Sequence, residues 1–301
     1  MQRCDDVGLA PMKPASTQPA ELRVHEHVQV FTGQCLFGRS AGRQPACGGA
    51  CRRGIERRKD GRVCPLDPSF GDDPLLPATD PDADYRMRIF TPIGELPFAG
   101  HPTLGSCHAW LAAGGKPRTP GLVLQQCGVG TVRVRVGGSR LEFAAPPLRR
   151  SGPLESGVLA KIAEALGIPP SEILHHQWVD NGPNWCAVML RASQQVLALK
   201  PDWAALAPLK LGVLGPHDVG HDAAFEVRAL VGSGGYEDPV TGSLNAGIAQ
   251  WLMREGLAPA AYVAAQGTVL QRAGRVHLRV DQDQVWVGGE VVDVIRGEVS
   301  L

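Results

Sequence analysis

The chain has 301 residues, 44% of them hydrophobic, which is enough for two packed domains of about 130 to 150 residues each. Its 30 Lys plus Arg and 30 Asp plus Glu give a net charge of zero, so charge offers no reason to expect nucleic acid as a partner. No long apolar run is present and residues 1–21 read as a disordered start, so we expect a cytoplasmic protein that does not bind membranes.

The first half is predicted at residues 22–147 and begins with an alternating strand at 22–32. Residues 38–74 interrupt it with scattered Arg, Gly, Pro and Cys and show neither helical nor strand periodicity. A zinc site from Cys47, Cys51 and Cys64 is disfavoured, because the cysteines lack paired spacing and no His lies in the segment. A nucleic-acid tract is disfavoured because no aromatic residues are interleaved with the arginines. A disordered insertion remains open.

Regular patterns return after residue 75. Two strands lead into a turn rich in Pro and Gly, which is followed by an apolar helix at 102–113 and a meander of strands at 122–126, 130–136 and 140–144. The second half is predicted at residues 148–301. Its expected elements are helices at 158–166, 193–205 and 243–255, strands at 177–179, 185–190 and 224–230, and a closing sheet from 262. The fold class is therefore α+β with mostly antiparallel sheets.

The two halves repeat one motif. Shifting ELPFAGHPTLG at residues 95–105 by 142 positions places Glu95 on Glu237 and Gly100 on Gly242, with Pro and a later Gly also matched. Each copy is a turn that runs into a helix, and the free N–H groups and dipole of a helix start can bind an anion. Two such starts facing each other would hold a carboxylate between them.

Side chains that can exchange protons lie at both turns. His101 begins the first helix, where the dipole favours a neutral imidazole, while Asp238, Thr241 and Ser243 surround the second turn. A packed or capping His and an N-capping Asp are the alternatives without catalytic function. Cys107 falls inside an apolar helix and is expected in the core. From the residues alone we predict a cleft that binds a small carboxylate and transfers protons without a cofactor or metal.

These motifs resemble the PhzF-like phenazine biosynthesis family, whose members are relatives of diaminopimelate epimerase. The resemblance rests on RIFTPIGELPFAGHPTLG, on GGYEDPVTGS at 234–243 and on the tail QGTVLQRAGRV with VWVGG. It implies the diaminopimelate epimerase-like fold of two pseudo-symmetric halves, a homodimer, and cofactor-free isomerisation of a small carboxylate resembling dihydro-hydroxyanthranilate. It also implies that His101 and Asp238 are catalytic and that Gly100, Gly242 and Ser243 bind the substrate carboxylate.

One family feature is missing. The resemblance implies a principal acid/base Glu in an SETTF-like motif just before LLPATDP, but residues 69–74 read SFGDDP, and a GNPLAVV-like strand is absent as well. When codons are rebuilt from the last two bases of one codon and the first base of the next, residues 43–63 can encode GNPLAVVHAAEGLSDEKMAGF and residues 64–73 can encode ARWTHPSETT. We therefore hypothesise that two compensating frame errors produced residues 38–74.

The expected function is thus a PhzF-type isomerase, impaired as printed because the Glu is missing. Two alternatives stay open. The first is a non-catalytic small-molecule-binding pseudoenzyme of the same fold, which applies if residues 38–74 are genuine. The second is an amino-acid racemase or epimerase, although neither turn supplies the cysteine that diaminopimelate epimerase uses, because Cys107 lies well inside its helix.

Overall fold

The computed structural model describes residues 28–36, 46–50, 73–91, 94–138 and 140–299. Most of the aberrant segment at 38–74, including Cys51, Cys64 and four residues of SFGDDP, lies outside these ranges, as do residues 1–21. The described chain combines short helices with many strands, which confirms the predicted α+β class.

The first half contains nine strands and one helix in its described part. The elements are β1 (Val28–Leu36), β2 (Ala46–Ala50), β3 (Asp73–Leu76), β4 (Tyr85–Met87), β5 (Ile89–Thr91), β6 (Gly94–Leu96), α1 (Gly100–Ala112), β7 (Leu122–Cys127), β8 (Gly130–Arg135) and β9 (Leu141–Ala144). The helix and the β7 to β9 meander agree with the predicted positions to within two residues.

The second half contains four α-helices and eight strands among its described residues. They are α2 (Ser156–Leu166), β10 (His175–Trp178), β11 (Trp185–Met189), α3 (Ser193–Ala198), α4 (Trp203–Leu206), β12 (Lys210–Pro216), β13 (Phe225–Val231), β14 (Tyr236–Asp238), α5 (Gly242–Arg254), β15 (Ala261–Gln266), β16 (Gly274–Asp281) and β17 (Gln284–Val299). The α2 helix ends at Gly167, whose φ of 65° is the left-handed conformation that glycine adopts easily.

One large sheet runs through both halves. Strands β1, β2, β3, β4, β7, β8, β9 and β17 are neighbours in that order, and β17 also pairs with β1, so this part of the sheet closes into a ring. Helix α1 contacts six of the ring strands and is enclosed by them. From β17 the sheet continues through β16, β15, β13, β12, β11 and β10, and α5 packs on β11, β16 and β17. Most pairings are antiparallel.

The last strand belongs to both parts of the sheet. The β17 residues Trp286–Gly289 pair with β9, and those from Glu290 onward pair with β1. The boundary predicted at residue 147 stays a prediction, but the C-terminal strand completes the ring around the first helix.

The central helices are buried on nearly all sides. In α1, Leu104 and Cys107 are fully buried, and in α5, Trp251 is 1% exposed. Both helices belong to one apolar cluster that continues across the two halves. Burying a side chain such as Leu104 contributes about 1.5–3 kcal/mol, so this shared cluster fixes the position of the two helix starts relative to each other. A second cluster lies under α2, α3 and α4.

Three sequence predictions were wrong. Residues 193–205 form two short helices instead of one, because Pro201 cannot continue α3. Strand β12 was not predicted: it lies between β11 and β13, and its central five residues are buried on both faces, so it lacks the alternation that marks a half-exposed strand. No strand was predicted within residues 38–74, yet β2 pairs there with β1 and β3.

Within the described ranges, none of the helices combines the length and apolar character that crossing a membrane requires.

Candidate active site

The starts of α1 and α5 touch each other through two glycines. A Cβ atom added to Gly100 would lie 2.5 Å from the Gly242 Cα atom, and one added to Gly242 would lie 2.7 Å from the Gly100 Cα atom. Neither distance is compatible with a side chain, because carbon atoms in contact lie about 3.5–4.0 Å apart. Glycine is therefore required at both positions by close backbone approach, and the facing helix starts predicted from the repeat are present.

The contact brings backbone amides from both helices to one place. The N–H of Ser243 lies 3.0 Å and that of His101 3.4 Å from the Cβ positions of the facing glycines. The first amides of a helix lack acceptors within the helix, and they carry the positive end of its dipole. In α1 the next residue is Pro102, which has no N–H to contribute. The arrangement can hold a carboxylate at the joint helix starts.

His101 and Ser243 occupy equivalent positions, each the second residue of its helix. Both side chains are buried, His101 with 7% and Ser243 with 3% exposure. The duplicated scaffold thus presents an imidazole from one half and a hydroxyl from the other at the glycine contact.

Asp238 ends strand β14, four residues before α5 begins, and is 7% exposed. The Thr241 hydroxyl donates a hydrogen bond of 2.5 Å to Asp238 Oδ2. Thr241, not Asp238, is the N-cap residue of α5, and it makes no side-chain capping bond. Asp238 therefore does not occupy the N-cap position, and its carboxylate lies beside the helix start, where it accepts a hydrogen bond from a hydroxyl.

A buried glutamine in β15 organises this turn. Gln266 is fully buried, and its Nε2 donates to the Asp238 carbonyl at 2.8 Å and to Thr241 Oγ1 at 3.0 Å. Its Oε1 accepts from the Thr241 amide at 3.1 Å and from Asn245 Nδ2 at 2.7 Å. Because Thr241 Oγ1 accepts from the Gln266 side-chain amide, the hydroxyl proton of Thr241 is directed at Asp238. The sequence reasoning missed Gln266.

The first half carries a matching glutamine. Gln125 in β7 is also fully buried, and its Nε2 donates to Thr103 Oγ1 at 3.3 Å. Its Oε1 accepts from the Tyr85 hydroxyl at 2.5 Å and from Ser106 Oγ at 3.1 Å. Thr103 and Asn245 are 142 positions apart and Gln125 and Gln266 are 141 apart, so the repeat offset was the signal that could have found both glutamines.

Each turn is also fixed by an Arg–Glu pair that the sequence reasoning missed. Arg228 donates to Glu237 at 2.7–3.2 Å and to two carbonyls of the α3 region, and both side chains are 4% exposed. In the first half, Arg88 donates two bonds of 2.8 and 2.9 Å to Glu95 at a half-exposed position. The repeated glutamates are therefore structural anchors of the two turns.

The loop between β10 and β11 forms another wall beside α5. Asn181 Nδ2 donates to the Ser243 carbonyl at 2.8 Å, and Trp185 Nε1 donates to Ser243 Oγ at 3.2 Å. A Cβ on Gly182 would lie 3.4 Å from Pro97 of the first turn, so the same loop also reaches the other half. Since the Ser243 oxygen accepts from Trp185, its proton is available to a ligand.

Cys107 lies in the core, as predicted, with no exposed surface, and burial raises the pKa of its thiol to about 12. Cys107, Cys127 and Cys186 are free thiols. No group of three or more His, Cys, Asp or Glu residues in the described part of the chain is arranged to hold a metal ion.

Residues 74–297 match the family model described as phenazine biosynthesis-like protein, PhzC-PhzF. The chain belongs to this family. An uncharacterised isomerase from Mesorhizobium japonicum is 32% identical over 75% of this chain and 83% of its own length. A trans-2,3-dihydro-3-hydroxyanthranilate isomerase from Pseudomonas fluorescens is 32% identical over 58% of this chain and 61% of its own.

Solved structures agree with this family assignment. The crystal structure of a PhzF-family phenazine biosynthesis protein from Enterococcus faecalis superposes with a TM-score of 0.72 at 19% identity, covering 91% of this chain and all of that one. The fold is therefore the diaminopimelate epimerase-like fold, and the two relatives described above are named isomerases.

Proposed function

We propose that the protein is a cofactor-independent isomerase that moves a proton within a small carboxylate resembling dihydro-hydroxyanthranilate. The observation that carries the proposal is the contact between Gly100 and Gly242, which joins two helix starts beside His101 and Asp238. The name of the Pseudomonas fluorescens relative supports the substrate class.

Each residue has a role that follows from its position. The amides of Gly100 and Gly242, with the Ser243 hydroxyl, bind the substrate carboxylate, because helix starts favour anions. His101 and Asp238 give and take protons at the substrate, and both are buried enough to exclude bulk water from the transfer. Gln266 and Thr241 orient Asp238 without needing to touch the substrate.

The principal base is the Glu of the restored reading frame. In that form of the protein the Glu abstracts a proton and returns it to another carbon, while His101 and Asp238 assist. The chain as printed has SFGDDP at 69–74 and is expected to turn over weakly or not at all. This absence favours a second candidate for the printed chain, a non-catalytic binding protein with the same carboxylate site.

A cysteine-dependent racemase is disfavoured by the burial of Cys107. A thiol whose pKa is raised to about 12 carries almost no thiolate at neutral pH, and the thiolate is the reactive form. We further propose that the protein acts in the cytoplasm as a homodimer, which light scattering on the purified protein would test.

The test is hydrogen exchange on the substrate. Protein from a gene resequenced through codons 38–74 is incubated with trans-2,3-dihydro-3-hydroxyanthranilate in deuterated water, and deuterium in substrate and product is measured. His101→Ala and Asp238→Ala are expected to lower the exchange rate at least about 100-fold, as general acid–base groups do. His108→Ala, on the same helix but partly exposed and paired with Asp293, is the matched control and should exchange normally. Exchange that survives both variants contradicts the assigned roles.

A further inference from the structure

An arginine-rich cleft lies on the outer face of the sheet, away from the helix starts. It has a volume of about 520 Å³ and is lined by strands β7, β8, β9, β16 and β17. In β8, Val132 and Val134 point into the core around α1, so the alternating Arg133 and Arg135 point to the opposite face. The cleft is therefore separated from the candidate active site by the thickness of the sheet.

Four arginines line the cleft, and two of them pair with no carboxylate among the described residues. Arg279 donates to Glu142 at 2.6–3.2 Å, and Arg135 pairs with Asp281 at 2.7 Å.

The other two are Arg133 and Arg140. Arg133 donates only to the neutral amide of Gln284, at 2.9 Å, and Arg140 makes no ion pair with any residue that the structure describes. Burial, and after it the nearby charge of Arg140, lower the pKa of His277 in β16.

The floor of the cleft is a tryptophan with an unused donor. Trp286 is 3% exposed although it faces outward, because the Arg135 guanidinium lies 3.7 Å above its ring. Its Nε1–H is buried and donates to no acceptor in the part of the chain that the structure describes.

The chain contains a complete version of the same motif. Arg150 lies 3.5 Å above Trp178, and there the indole Nε1 donates to Glu155 at 3.1 Å while Arg150 donates to the same carboxylate. The cleft thus has the arginine and the tryptophan but lacks the carboxylate that joins them at the other site.

We propose that the cleft binds a small molecule carrying two anionic oxygen groups or one doubly charged group, that is, a dicarboxylate or a phosphate. Arg133 and Arg140 bind the anionic oxygens, since guanidinium groups recognise carboxylate and phosphate with paired hydrogen bonds. An extended polyanion is disfavoured because Glu142 and Asp281 stand among the arginines and the whole chain has no net charge. This site is independent of the proposed isomerase activity.

Isothermal titration calorimetry on the intact chain tests the site, with succinate and inorganic phosphate as probes and acetate at matched ionic strength as the monoanion control. At least one dianion is expected to bind with a Kd below about 1 mM. The double variant Arg133→Gln/Arg140→Gln should weaken it about tenfold or more, because two charged contacts are lost. Arg150→Gln, which alters the complete Arg–Trp motif elsewhere, should leave it unchanged. Comparing succinate with phosphate identifies the preferred anion.

Tryptophan fluorescence provides a second readout. A ligand-dependent change that is present in the native chain and lost in Trp286→Phe supports binding in the cleft even where a variant alters stability. The proposal is overturned if neither dianion binds up to about 10 mM, if acetate binds equally well, or if the double variant binds like the native chain. In the last case any succinate bound is held elsewhere, for example at the helix starts.

Discussion

Replacing Gly100 by alanine tests the geometry on which the proposed function rests. The new methyl group would lie 2.5 Å from the Gly242 Cα, 2.8 Å from its carbonyl carbon and 3.0 Å from the Ser243 nitrogen. All three are backbone atoms, so no side-chain rotation can relieve the overlap. The helix starts must separate by about 1 Å to restore normal contact. Overpacking of this kind costs about 1–3 kcal/mol of folding stability.

The expected loss of activity is larger than the loss of stability. A shift of about 1 Å in groups that position a substrate lowers a rate by about 100-fold. We therefore expect Gly100→Ala to lower the free energy of unfolding, measured in urea, by about 1–3 kcal/mol. We expect it to lower the rate of substrate deuterium exchange by about 100-fold. Both quantities are measured on protein from the resequenced gene.

Gly157→Ala is the matched control. Gly157 lies in the first turn of α2, and a Cβ there would meet no atom within 4 Å. Alanine should stabilise the fold by about 0.4–1 kcal/mol and leave exchange unchanged. If Gly100→Ala behaves like this control in both assays, the two helix starts do not touch in solution and the proposed carboxylate site is wrong.

Three further variants test other parts of the structure. Gln266→Leu removes four buried hydrogen bonds around Asp238 and should lower the free energy of unfolding in urea by about 2–4 kcal/mol. A change within experimental error would contradict the role of Gln266 in organising the turn before α5. Arg228→Met leaves the Glu237 carboxylate buried and unpaired and should lower the free energy of unfolding by about 3–5 kcal/mol. Adding Glu237→Leu should restore most of this loss. Equal instability of the single and double variants would refute the pairing. Burial raises the pKa of Glu226 to about 7, so the folded state keeps this proton to higher pH than the unfolded chain, and the stability of the native chain falls as pH rises from about 4.5 to 7. Glu226→Gln lacks this titration, so its stability relative to the native chain should rise by about 2–3 kcal/mol between pH 5 and pH 8. Parallel curves of stability against pH for the two proteins would exclude this titration.

The sequence predicted the central helices and their facing starts because the same turn, running into a helix, occurs twice at a spacing of 142 residues. The reason for glycine at Gly100 and Gly242 is close backbone approach, which only the structure shows. The β7 to β9 meander was also predictable, since strands with one face exposed alternate in polarity.

Features that depend on tertiary contacts were not predictable. Strand β12 is buried on both faces, so its sequence does not alternate. In the sequence, Gln266 is an ordinary polar residue at the end of a strand. Its role is visible only in the structure, where it bonds residues of the turn before α5 and of α5 itself. The crossing of β17 between two parts of the sheet depends on partners far away in sequence, and a run of alternating residues cannot indicate which strand will pair with it.

The second half of the chain explains what the frame hypothesis would supply to the first. There, the loop from Asn181 to Trp185 bonds Ser243 through its carbonyl and its hydroxyl and reaches across to Pro97. His101 is the counterpart of Ser243, so the repeat predicts an equivalent loop near His101. The rebuilt GNPLAVV at residues 43–49 lies three residues beyond 40–46, the range that the 142-residue offset gives for GPNWCAV at 182–188. Because the loop in the second half contacts its residue at the helix start, the restored frame is expected to place a similar loop beside His101 as well as to return the Glu. Resequencing decides the matter: a single uninterrupted frame through codons 38–74 would favour the binding protein over the isomerase.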